Sequence, residues 1–404
     1  MSSGDLPELQ RPATTRTKLA FALMLASTGL LMGVILGEWI LAEFSPQLTR
    51  VPHVWRFDPN LGWNHIPSAS GRLVTPEFDV EVQINADGLR DRAYPMEKGA
   101  ATRRILLFGD SFAEGWGVEI DRSVSQVLEQ SLNRRDEAVE VLNFGVAGFG
   151  SDQELLLFRQ KGRLYEADVV LLLFYGNDLW NNVARHGIGA ERGEKPYFRF
   201  ARAGGLSLQG VPVRKNRYWD FRDGTMSVPW TMRLGRYFSQ NWHGFALLEK
   251  AFAAGEVTKG EQRTFYQGLY GADRGQRHER SWELTAKILE AFQRAVEAEG
   301  SAFVLVYVPS IVQIDEGDWQ SKRQLHGLIG EEYDLLKPNR LLGEIAAAAG
   351  MQYLDLYPSF RSGSESGPLY YGDSHWNAAG HELAAGQIAE FLVQRGFTTG
   401  ATKE

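Results

Sequence analysis

Five short apolar runs, each followed by a helical pattern, constrain the fold of this chain more than any other feature. Continuous apolar runs of this length are typical of strands buried on both faces of a sheet. Strands that alternate with helices predict an α/β, doubly wound fold with helices on both faces of a parallel sheet. The predicted strands are residues 104–108, 139–144, 168–175, 302–308 and 351–356, and the predicted helices lie near 123–135, 152–164, 281–299, 337–349 and 377–395.

Two segments do not follow this alternation. Residues 45–100 are punctuated by Pro, Asp and Gly, and the alternating pattern at 77–84 predicts a half-exposed strand. We expect a small β-rich lead-in there, packed on a main domain at 101–398. Residues 185–280 contain no long periodic segment. Insertions of this kind at the carboxyl edge of a sheet are usually lids or substrate-binding loops.

The insertion at 185–280 differs from the rest of the chain in charge. It carries 17 Lys and Arg against 9 Asp and Glu, a net charge of +8, whereas the whole chain has −7. It also contains Trp219, Trp230 and Trp242. Basic and aromatic side chains favour an anionic polymer, sugar rings or lipid headgroups. Alternatively, the basic residues face the acidic remainder of the protein or a membrane surface.

Composition excludes several classes of site. The net negative charge gives no reason to expect nucleic-acid binding. The chain has no Cys, which excludes disulfides, a thiolate nucleophile and a thiolate metal site. The eight histidines show no metal-binding spacing such as His-x-His or His-Glu-x-x-His, and we expect no metal or other cofactor.

The N-terminal region contains a charge-free apolar segment of 19 residues, at 19–37. At about 1.5 Å per residue it spans roughly the 30 Å hydrocarbon core of a bilayer. Basic residues precede it, which places a tail at 1–18 in the cytoplasm. We predict an N-terminal transmembrane helix, an uncleaved signal anchor at 19–41 in the cytoplasmic membrane. The rest would be periplasmic or extracellular, and a cleaved signal peptide is the alternative.

Gly29, Gly33 and Gly37 recur every four residues and therefore share one face of the predicted membrane helix. Small residues at this spacing let helices approach closely in lipid. The hypothesis is a homodimer or a membrane-protein partner at this face. Glycine is also common in membrane helices for other reasons.

A candidate nucleophile follows the first predicted strand. Gly109 ends the apolar run, and Asp110 and Ser111 lie at its carboxyl end, where open α/β sheets bind their ligands. A serine at this place requires a base, a group that orients the base, and donors for an oxyanion. Taken alone, such a serine is more often a helix cap than a catalyst.

Three later strand ends offer the missing groups. The glycine-rich loop 143–150 follows the second strand and can direct backbone N–H groups at a reacting oxygen. Asn177 follows the third strand and offers a side-chain amide. Asp373 and His375 follow the fifth strand and offer a carboxylate and an imidazole. Each feature on its own also fits a turn or a helix cap.

Together, these four strand ends resemble the signature blocks of the SGNH (GDSL-like) hydrolase superfamily. The resemblance covers about residues 101–398 outside the insertion, and it implies a flavodoxin-like, five-stranded parallel sheet. The matching residues are Gly109-Asp110-Ser111-Phe112, Asn143 with Gly148, Gly176-Asn177-Asp178, and Asp373 with His375.

The resemblance implies a role for each matching residue. Ser111 would be the nucleophile and His375 its base, with Asp373 holding the imidazole in the right tautomer. The backbone N–H groups of Ser111 and Gly148, with the Asn177 amide, would form the oxyanion hole. The supporting loop residues would be Asp110, Gly176 and Asp178.

Two departures from the family pattern affect this assignment. The common spacing is Asp-x-x-His, whereas one residue separates Asp373 from His375. That shorter form is similar to one in SGNH-like polysaccharide O-acetyltransferases. Gly145 and Gly150 flank Gly148, and either is an alternative oxyanion donor.

These features predict a membrane-anchored serine esterase that acts outside the cytoplasmic membrane, on an O-acyl and most simply an O-acetyl ester of a glycan. The first alternative is an O-acyltransferase for cell-surface polysaccharide that works with a membrane acyl donor. The second is a glycan-binding scaffold without catalysis. A fold-level resemblance does not choose among them.

Overall fold

A computed structural model describes residues 15–134, 138–187, 193–202, 204–222, 230–253, 259–272 and 276–398. The chain divides into two compact units. The smaller unit comprises residues 1–49 and 230–256, and the larger comprises 50–229 and 257–404.

The helices and strands are as follows. The strands are β1 (Trp55–Asp58), β2 (Gly62–His65), β3 (Ser70–Val74), β4 (Asp79–Gln83), β5 (Arg103–Gly109), β6 (Val139–Asn143), β7 (Val169–Phe174), β8 (Tyr197–Phe200), β9 (Leu206–Gln209), β10 (Ala302–Tyr307) and β11 (Gln352–Asp355). The α-helices are α1 (Thr15–Phe44), α2 (Ser111–Glu114), α3 (Val124–Asn133), α4 (Ser151–Gln160), α5 (Gly176–Asn181), α6 (Arg217–Arg222), α7 (Trp230–Asn241), α8 (His243–Ala253), α9 (Lys259–Tyr270), α10 (Gln276–Glu297), α11 (Ile311–Ile314), α12 (Glu316–His326), α13 (Lys337–Ala349), α14 (Tyr357–Gly363) and α15 (Ala378–Gln394).

The larger unit is built on a five-stranded parallel sheet with the strand order β11-β10-β7-β5-β6. In chain order this is 2-1-3-4-5 read from the β6 edge, the flavodoxin-like doubly wound order. The predicted fold class is therefore confirmed. The order reverses between β5 and β7, and ligands of such sheets bind at the carboxyl ends of the strands beside this reversal.

The central strands are buried on both faces because successive side chains point to opposite sides of the sheet. On one side, Leu106 and Phe108 of β5 pack in a core that includes residues of α4, α10 and α13. On the other side, Ile105 and Leu107 pack with residues of α3 and α15. This two-sided burial explains the continuous apolar runs in the sequence.

The lead-in contains two antiparallel hairpins, β1–β2 and β3–β4. In β4, Val80 and Val82 are buried while the residues between them are exposed, as the alternating pattern predicts. Arg90 is buried and donates hydrogen bonds to the backbone carbonyls of Gly115 and Val118 in the segment after α2. The lead-in therefore contacts the segment that follows the predicted nucleophile.

Residues 185–280 contain regular structure, although the sequence shows no long periodic segment there. The segment contains the β8–β9 hairpin, the helices α6 to α9 and the first residues of α10. These helices have 6 to 12 residues, apart from α10. A single residue, Trp242, separates α7 from α8, so the apolar pattern restarts before a long window stays in phase.

α1 is a 30-residue helix without a single buried residue. Among the described residues it is the one helix long and apolar enough to cross a membrane, and the predicted anchor at 19–41 lies within it. No atom lies within 4 Å of a Cβ built on Gly29, Gly33 or Gly37. A partner at this glycine face remains a prediction. The predicted cytoplasmic tail falls almost entirely outside the described residues.

Candidate active site

The turn from β5 into α2 places Ser111 at the first residue of the helix. Asp110 caps this helix, since its Oδ1 accepts the Phe112 N–H at 3.0 Å. A Cβ on Gly109 would lie 2.8 Å from the Cβ of Ala113 and 3.1 Å from that of Leu173. Glycine therefore permits the close approach that brings Ser111 to the sheet edge.

Ser111 and His375 lie 264 residues apart in the chain and meet at this edge. The Ser111 Oγ is 2.8 Å from Nε2 of His375, a hydrogen-bond distance that suits transfer of the hydroxyl proton. The imidazole packs between two aromatic rings, with centroid distances of 5.3 Å to Phe112 and 5.5 Å to Trp116. These rings restrict the orientation of the imidazole.

Asp373 lies on the far side of the imidazole. Its Oδ2 is 3.1 Å from Nδ1 of His375, although the ring N–H is not aligned well enough for a regular hydrogen bond. Its Oδ1 accepts the backbone N–H of His375 at 3.1 Å. Partial burial on its own would raise the pKa of Asp373, but hydrogen bonds from His375 and Trp116 outweigh it and lower the pKa.

The short Asp-x-His spacing depends on the residue between the two side chains. Ser374 adopts φ +75°, in the left-handed region that few residues other than glycine occupy. This conformation turns the chain so that Asp373 hydrogen-bonds the His375 backbone two residues on. The turn compensates for the missing residue, and the carboxylate still reaches the imidazole.

Trp116 contributes to the site and has no counterpart in the sequence prediction. Its Nε1–H donates to Oδ2 of Asp373 at 3.1 Å, the same oxygen that faces His375. The indole therefore contacts both members of the Asp–His pair. In the sequence, only its position five residues after Ser111 sets Trp116 apart. No periodicity or motif spacing indicates a role for it.

The glycine-rich loop 143–150 lies beside α2. The Gly145 N–H already donates to Oδ1 of Asn143 at 2.9 Å, and a Cβ on Gly145 would lie 2.2 Å from the Glu114 backbone nitrogen. Gly148 has φ +81°, and its N–H has no acceptor among the described residues. The N–H of Gly145 is thus already hydrogen-bonded, and its backbone is closely packed against α2. Gly148 remains the predicted oxyanion donor.

Asn177 is the second residue of α5 and lies beside the turn that carries Ser111. Its Nδ2 donates to Oδ2 of Asp110 at 2.6 Å, which leaves its second amide hydrogen for another acceptor. A Cβ on Gly176 would lie 2.5 Å from Cδ2 of Leu269, so this turn also needs glycine. Asp178 accepts the Tyr175 N–H at 3.0 Å and braces the turn. 

Two family models match this part of the chain. Residues 107–219 match the GDSL-like lipase/acylhydrolase family, and residues 265–404 match the SGNH hydrolase-like domain of the acetyltransferase AlgX. Both models describe SGNH-type domains, and the chain therefore contains an SGNH (GDSL-like) hydrolase domain. Its SGNH domain places it among enzymes that act on ester bonds, as hydrolases or as acyltransferases. No curated protein is significantly similar to the chain in sequence.

Several solved structures are similar to the SGNH domain. TesA has 11% identity and a TM-score of 0.38, over 72% of this chain and 98% of its own. The acetyl xylan esterase AlAXEase has 12% identity and a TM-score of 0.38, over 71% and 98%. A lipolytic G-D-S-L family protein from Veillonella parvula has 14% identity and a TM-score of 0.37, over 73% and 100%. Likeness at this level says nothing about the substrate of this chain.

The lead-in contacts the loop that contains Gly148, the predicted oxyanion donor, and the sequence did not reveal these contacts. Trp63 of β2 is buried and donates its Nε1–H to the Ala147 carbonyl at 3.1 Å. Glu114 accepts the Ala147 N–H, and Nε2 of His65 lies 3.4 Å from the same carboxylate oxygen. Asp91 accepts the Asn143 N–H at 2.9 Å. The lead-in thus contacts this loop at Asn143 and at Ala147, both before Gly148.

A group of buried acids lies below the predicted oxyanion hole of the SGNH domain. Burial raises the pKa of Asp110, and it raises the pKa values of Glu154 and Asp178 well above normal, with further contributions from neighbouring carboxylates. Asp152 is also buried, but unlike these three acids it pairs with a cation, the fully buried Lys195. Protonated acids at this place repel a developing oxyanion less than ionised ones.

The remaining titratable groups in the described part of the chain do not form a metal centre. Among the described residues, no three His, Cys, Asp or Glu side chains are arranged to hold a metal ion. His381 is fully buried in α15, where its Nδ1 accepts the Val124 N–H at 3.2 Å and burial lowers its pKa to about 3. His381 therefore packs the last helix.

Proposed function

We propose that the chain is an extracytoplasmic serine esterase that hydrolyses an O-acyl, most simply an O-acetyl, ester of a glycan. The observation that carries this proposal is the 2.8 Å contact between Ser111 Oγ and His375 Nε2, with Asp373 on the other side of the ring. A serine, an imidazole and a carboxylate in this order form the catalytic triad that acyl transfer requires.

In the first half of the reaction, Ser111 Oγ attacks the ester carbonyl carbon while His375 Nε2 takes the hydroxyl proton. Asp373 stabilises the imidazolium that forms. The carbonyl oxygen becomes an oxyanion that accepts hydrogen bonds from the backbone N–H groups of Ser111 and Gly148 and from the second amide hydrogen of Asn177. Collapse of the tetrahedral intermediate breaks the ester bond, and His375 returns the proton to the departing alcohol oxygen.

In the second half, an acyl ester on Ser111 reacts with a second nucleophile. His375 takes a proton from water, the hydroxide attacks the acyl carbon, and Ser111 leaves with that proton. The products are a carboxylic acid and the free enzyme. If a sugar hydroxyl replaces water, the same steps give a new ester, and the enzyme is an O-acyltransferase.

The transferase is the second candidate, and one observation favours it. The match to the SGNH hydrolase-like domain of an acetyltransferase includes the segment with Asp373 and His375. Such an enzyme acting outside the membrane needs an acyl donor, which a membrane partner would supply. The glycine face of α1, with Gly29, Gly33 and Gly37, offers one place for such a partner or for a second copy.

The proposed location rests on α1. This 30-residue helix buries none of its residues, and so many exposed apolar side chains would be costly in water, since burying one large apolar side chain is worth about 1.5–3 kcal/mol. A bilayer removes this cost. We propose that the segment at 19–41 spans the cytoplasmic membrane with the N-terminus inside. The larger compact unit, which contains Ser111 and His375 and is here called the catalytic unit, would then lie outside.

The proposed glycan substrate rests on the insertion at 185–280. Its net charge of +8 and its aromatic residues suit an anionic or acylated polysaccharide, because aromatic faces pack on sugar rings and cations attract anions. If this attraction contributes, affinity for an acylated anionic glycan falls as salt rises. An affinity that does not change with salt contradicts the electrostatic part of the proposal.

The catalytic assignment is tested with the purified full chain in detergent and 4-nitrophenyl acetate as the ester. Ser111→Ala should lower kcat by at least about 10³-fold, because the nucleophile is lost. Asn177→Ala should lower kcat by about 10²–10³-fold, the usual effect of losing one oxyanion donor. The matched control is Ser362→Ala, which changes an exposed serine in α14 and should leave kcat unchanged. Equal rates for Ser111→Ala and the control would contradict the triad.

The choice between hydrolase and transferase is tested by the time course of the same assay. A hydrolase gives steady release of 4-nitrophenol after the first turnover. A transferase gives a burst of one equivalent and then stops, and it resumes when a polysaccharide acceptor is added. If the wild-type protein binds glycan but shows neither a burst nor steady turnover, the result indicates the non-catalytic scaffold.

A further inference from the structure

The smaller compact unit contains a helical hairpin with an unusual surface. α7 and α8 are joined by Trp242 alone, and Phe238 packs against Trp242 and Phe245 with ring-centroid distances of 5.4 and 5.8 Å. Large apolar side chains nevertheless remain 39% to 59% exposed on both helices. They are Leu234, Tyr237, Trp242, Phe245, Leu247 and Leu248.

These side chains are grouped by the helical repeat. In α7, Leu234 and Tyr237 are three residues apart, and in α8, Phe245 and Leu248 are three residues apart, so each pair shares a helix face. Ala246 lies between the α8 pair in sequence and is buried. Among the described side chains of α8, at residues 243–248, the exposed ones are thus apolar, which is the reverse of the arrangement expected in water.

The hairpin is attached to α1 by specific polar contacts. The Glu38 carboxylate accepts the backbone N–H groups of His243 and Gly244, and it thereby caps the N-terminus of α8. The Gln47 N–H donates to Nδ1 of His243 at 2.8 Å. The start of α8 is thus fixed beside residues 38–47 at the end of α1.

This attachment sets the depth of the hairpin in a membrane. Glu38 is the first charged residue after the charge-free segment 19–37, so it marks the end of the hydrocarbon region. Trp39 follows it and is 58% exposed, and tryptophan is enriched where a membrane helix meets the headgroups. The N-terminus of α8 therefore lies at the level of the lipid headgroups.

We propose that α7 and α8 form an interfacial membrane-binding hairpin, whose exposed apolar side chains insert into the outer leaflet of the bilayer that α1 spans. The inference rests on the proposed membrane anchor. The occupant of this surface is lipid, because the start of α8 is held at the headgroup end of α1, whose own apolar side chains are not buried either. A bilayer covers both surfaces at once.

Interfacial insertion would change how the enzyme meets its substrate. The chain leaves the catalytic unit before residue 230 and re-enters it after residue 256, so the hairpin ties that unit to the membrane at positions additional to the end of α1. A single tether lets a domain explore the solvent, whereas several attachments restrict it to the membrane surface. Substrate esters carried close to that surface would be favoured over soluble ones.

The absence of Cys from the chain allows a direct test, since any introduced cysteine is the only thiol. Full-length Leu248→Cys and Tyr237→Cys are labelled with a nitroxide and placed in nanodiscs of phosphatidylcholine and phosphatidylglycerol. Electron paramagnetic resonance then measures collisions with oxygen, which concentrates in lipid, and with a water-soluble nickel chelate. Leu30→Cys in the middle of α1 is the lipid control. Ile329→Cys, 70% exposed in the catalytic unit, is the water control.

The expected result is that the labels at 248 and 237 favour oxygen over nickel, with ratios between those of the two controls. Ratios equal to that of position 329, with a lipid value at position 30, would overturn the hairpin proposal and leave the anchor intact. A water value at position 30 would overturn the anchor and the hairpin together. Low collision rates with both reagents would mean that protein covers the surface and would overturn the assignment to lipid.

Discussion

The lead-in is expected to control catalysis through Trp63. The indole is buried in β2, and its Nε1–H holds the Ala147 carbonyl, one residue before the predicted oxyanion donor Gly148. Trp63→Phe keeps an aromatic ring that can pack against Phe149, 5.5 Å away between centroids. It removes the hydrogen bond to the loop. The substitution therefore separates loop positioning from the packing of the core.

The expected effect on catalysis follows from the energy of one hydrogen bond. Its net contribution is about 0.5–1.5 kcal/mol, so removing it lowers the population of the correctly placed loop by at most roughly tenfold. We expect kcat for 4-nitrophenyl acetate to fall by about 3–10-fold. KM should change by less than about twofold, because the oxyanion exists only after attack and its donors stabilise the transition state.

The effect on stability must be measured separately, because the smaller ring also leaves a cavity. The lost hydrogen bond and a cavity term of about 1 kcal/mol together predict a loss of about 2 kcal/mol in the free energy of unfolding. Trp282→Phe is the matched control. Trp282 is buried in α10 and donates its Nε1–H to the Gly268 carbonyl at 3.4 Å, so the control loses a comparable ring and hydrogen bond.

The comparison of the two variants decides the question. Both should unfold at lower urea concentration than wild type, and only Trp63→Phe should lose kcat per folded molecule. Equal kcat values for both variants would refute the conclusion that Trp63 positions the oxyanion loop. A loss confined to KM would also refute it, because it would place Trp63 in substrate binding.

Three further predictions concern other buried or paired groups. Trp116→Phe keeps an aromatic ring but removes a hydrogen-bond donor that lowers the pKa of Asp373. The acid limb of the pH–kcat profile should therefore move to higher pH. A loss of rate without this movement would contradict the role of Trp116 in setting the pKa of Asp373. Burial raises the pKa of Asp91 from 3.8 to about 7, so between those pH values the Asp91 carboxyl is protonated only in the folded state. The free energy of unfolding should therefore fall by up to about 4 kcal/mol as pH rises from 4 to 7. Asp91→Asn should remove that share of the slope in urea titrations, and an unchanged slope would contradict the assignment. Lys195→Met leaves the Asp152 carboxylate buried without its cation and should cost about 3–5 kcal/mol in thermal unfolding, whereas Lys195→Met with Asp152→Asn should restore most of it.

The sheet could be predicted because its signal is local. Strand β5 reveals itself through consecutive apolar residues, and the carboxyl ends of parallel strands meet at one edge whatever their distance in sequence. For this reason Ser111 and His375 could be paired across 264 residues. Their roles as nucleophile and base remain predictions that the kinetic tests decide.

The contribution of the lead-in could not be predicted, because it consists of single hydrogen bonds between distant segments. Trp63 and Ala147 are separated by 84 residues, and no periodicity or spacing links them. The helices of the insertion were missed for a different reason. α7 and α8 are too short to dominate a sequence window, and their apolar faces are exposed within the protein. A pattern that assumes apolar residues face a core does not identify such helices.

The turn with the short Asp-x-His spacing, which carries Asp373 and His375, is in contact with the lead-in. The turn of residues 371–375 closes through two backbone hydrogen bonds, from the Tyr371 N–H to the His375 carbonyl and from the Ser374 N–H to the Tyr371 carbonyl. It places Ser374 in a left-handed conformation. A non-glycine residue in that region costs about 1 kcal/mol or more unless its surroundings hold it there. The Glu77 carboxylate accepts the Gly372 N–H from outside the turn, and the Tyr371 hydroxyl donates to the Gly117 carbonyl. The lead-in therefore supports the turn that carries His375, the predicted base, as well as the loop that carries Gly148, the predicted oxyanion donor.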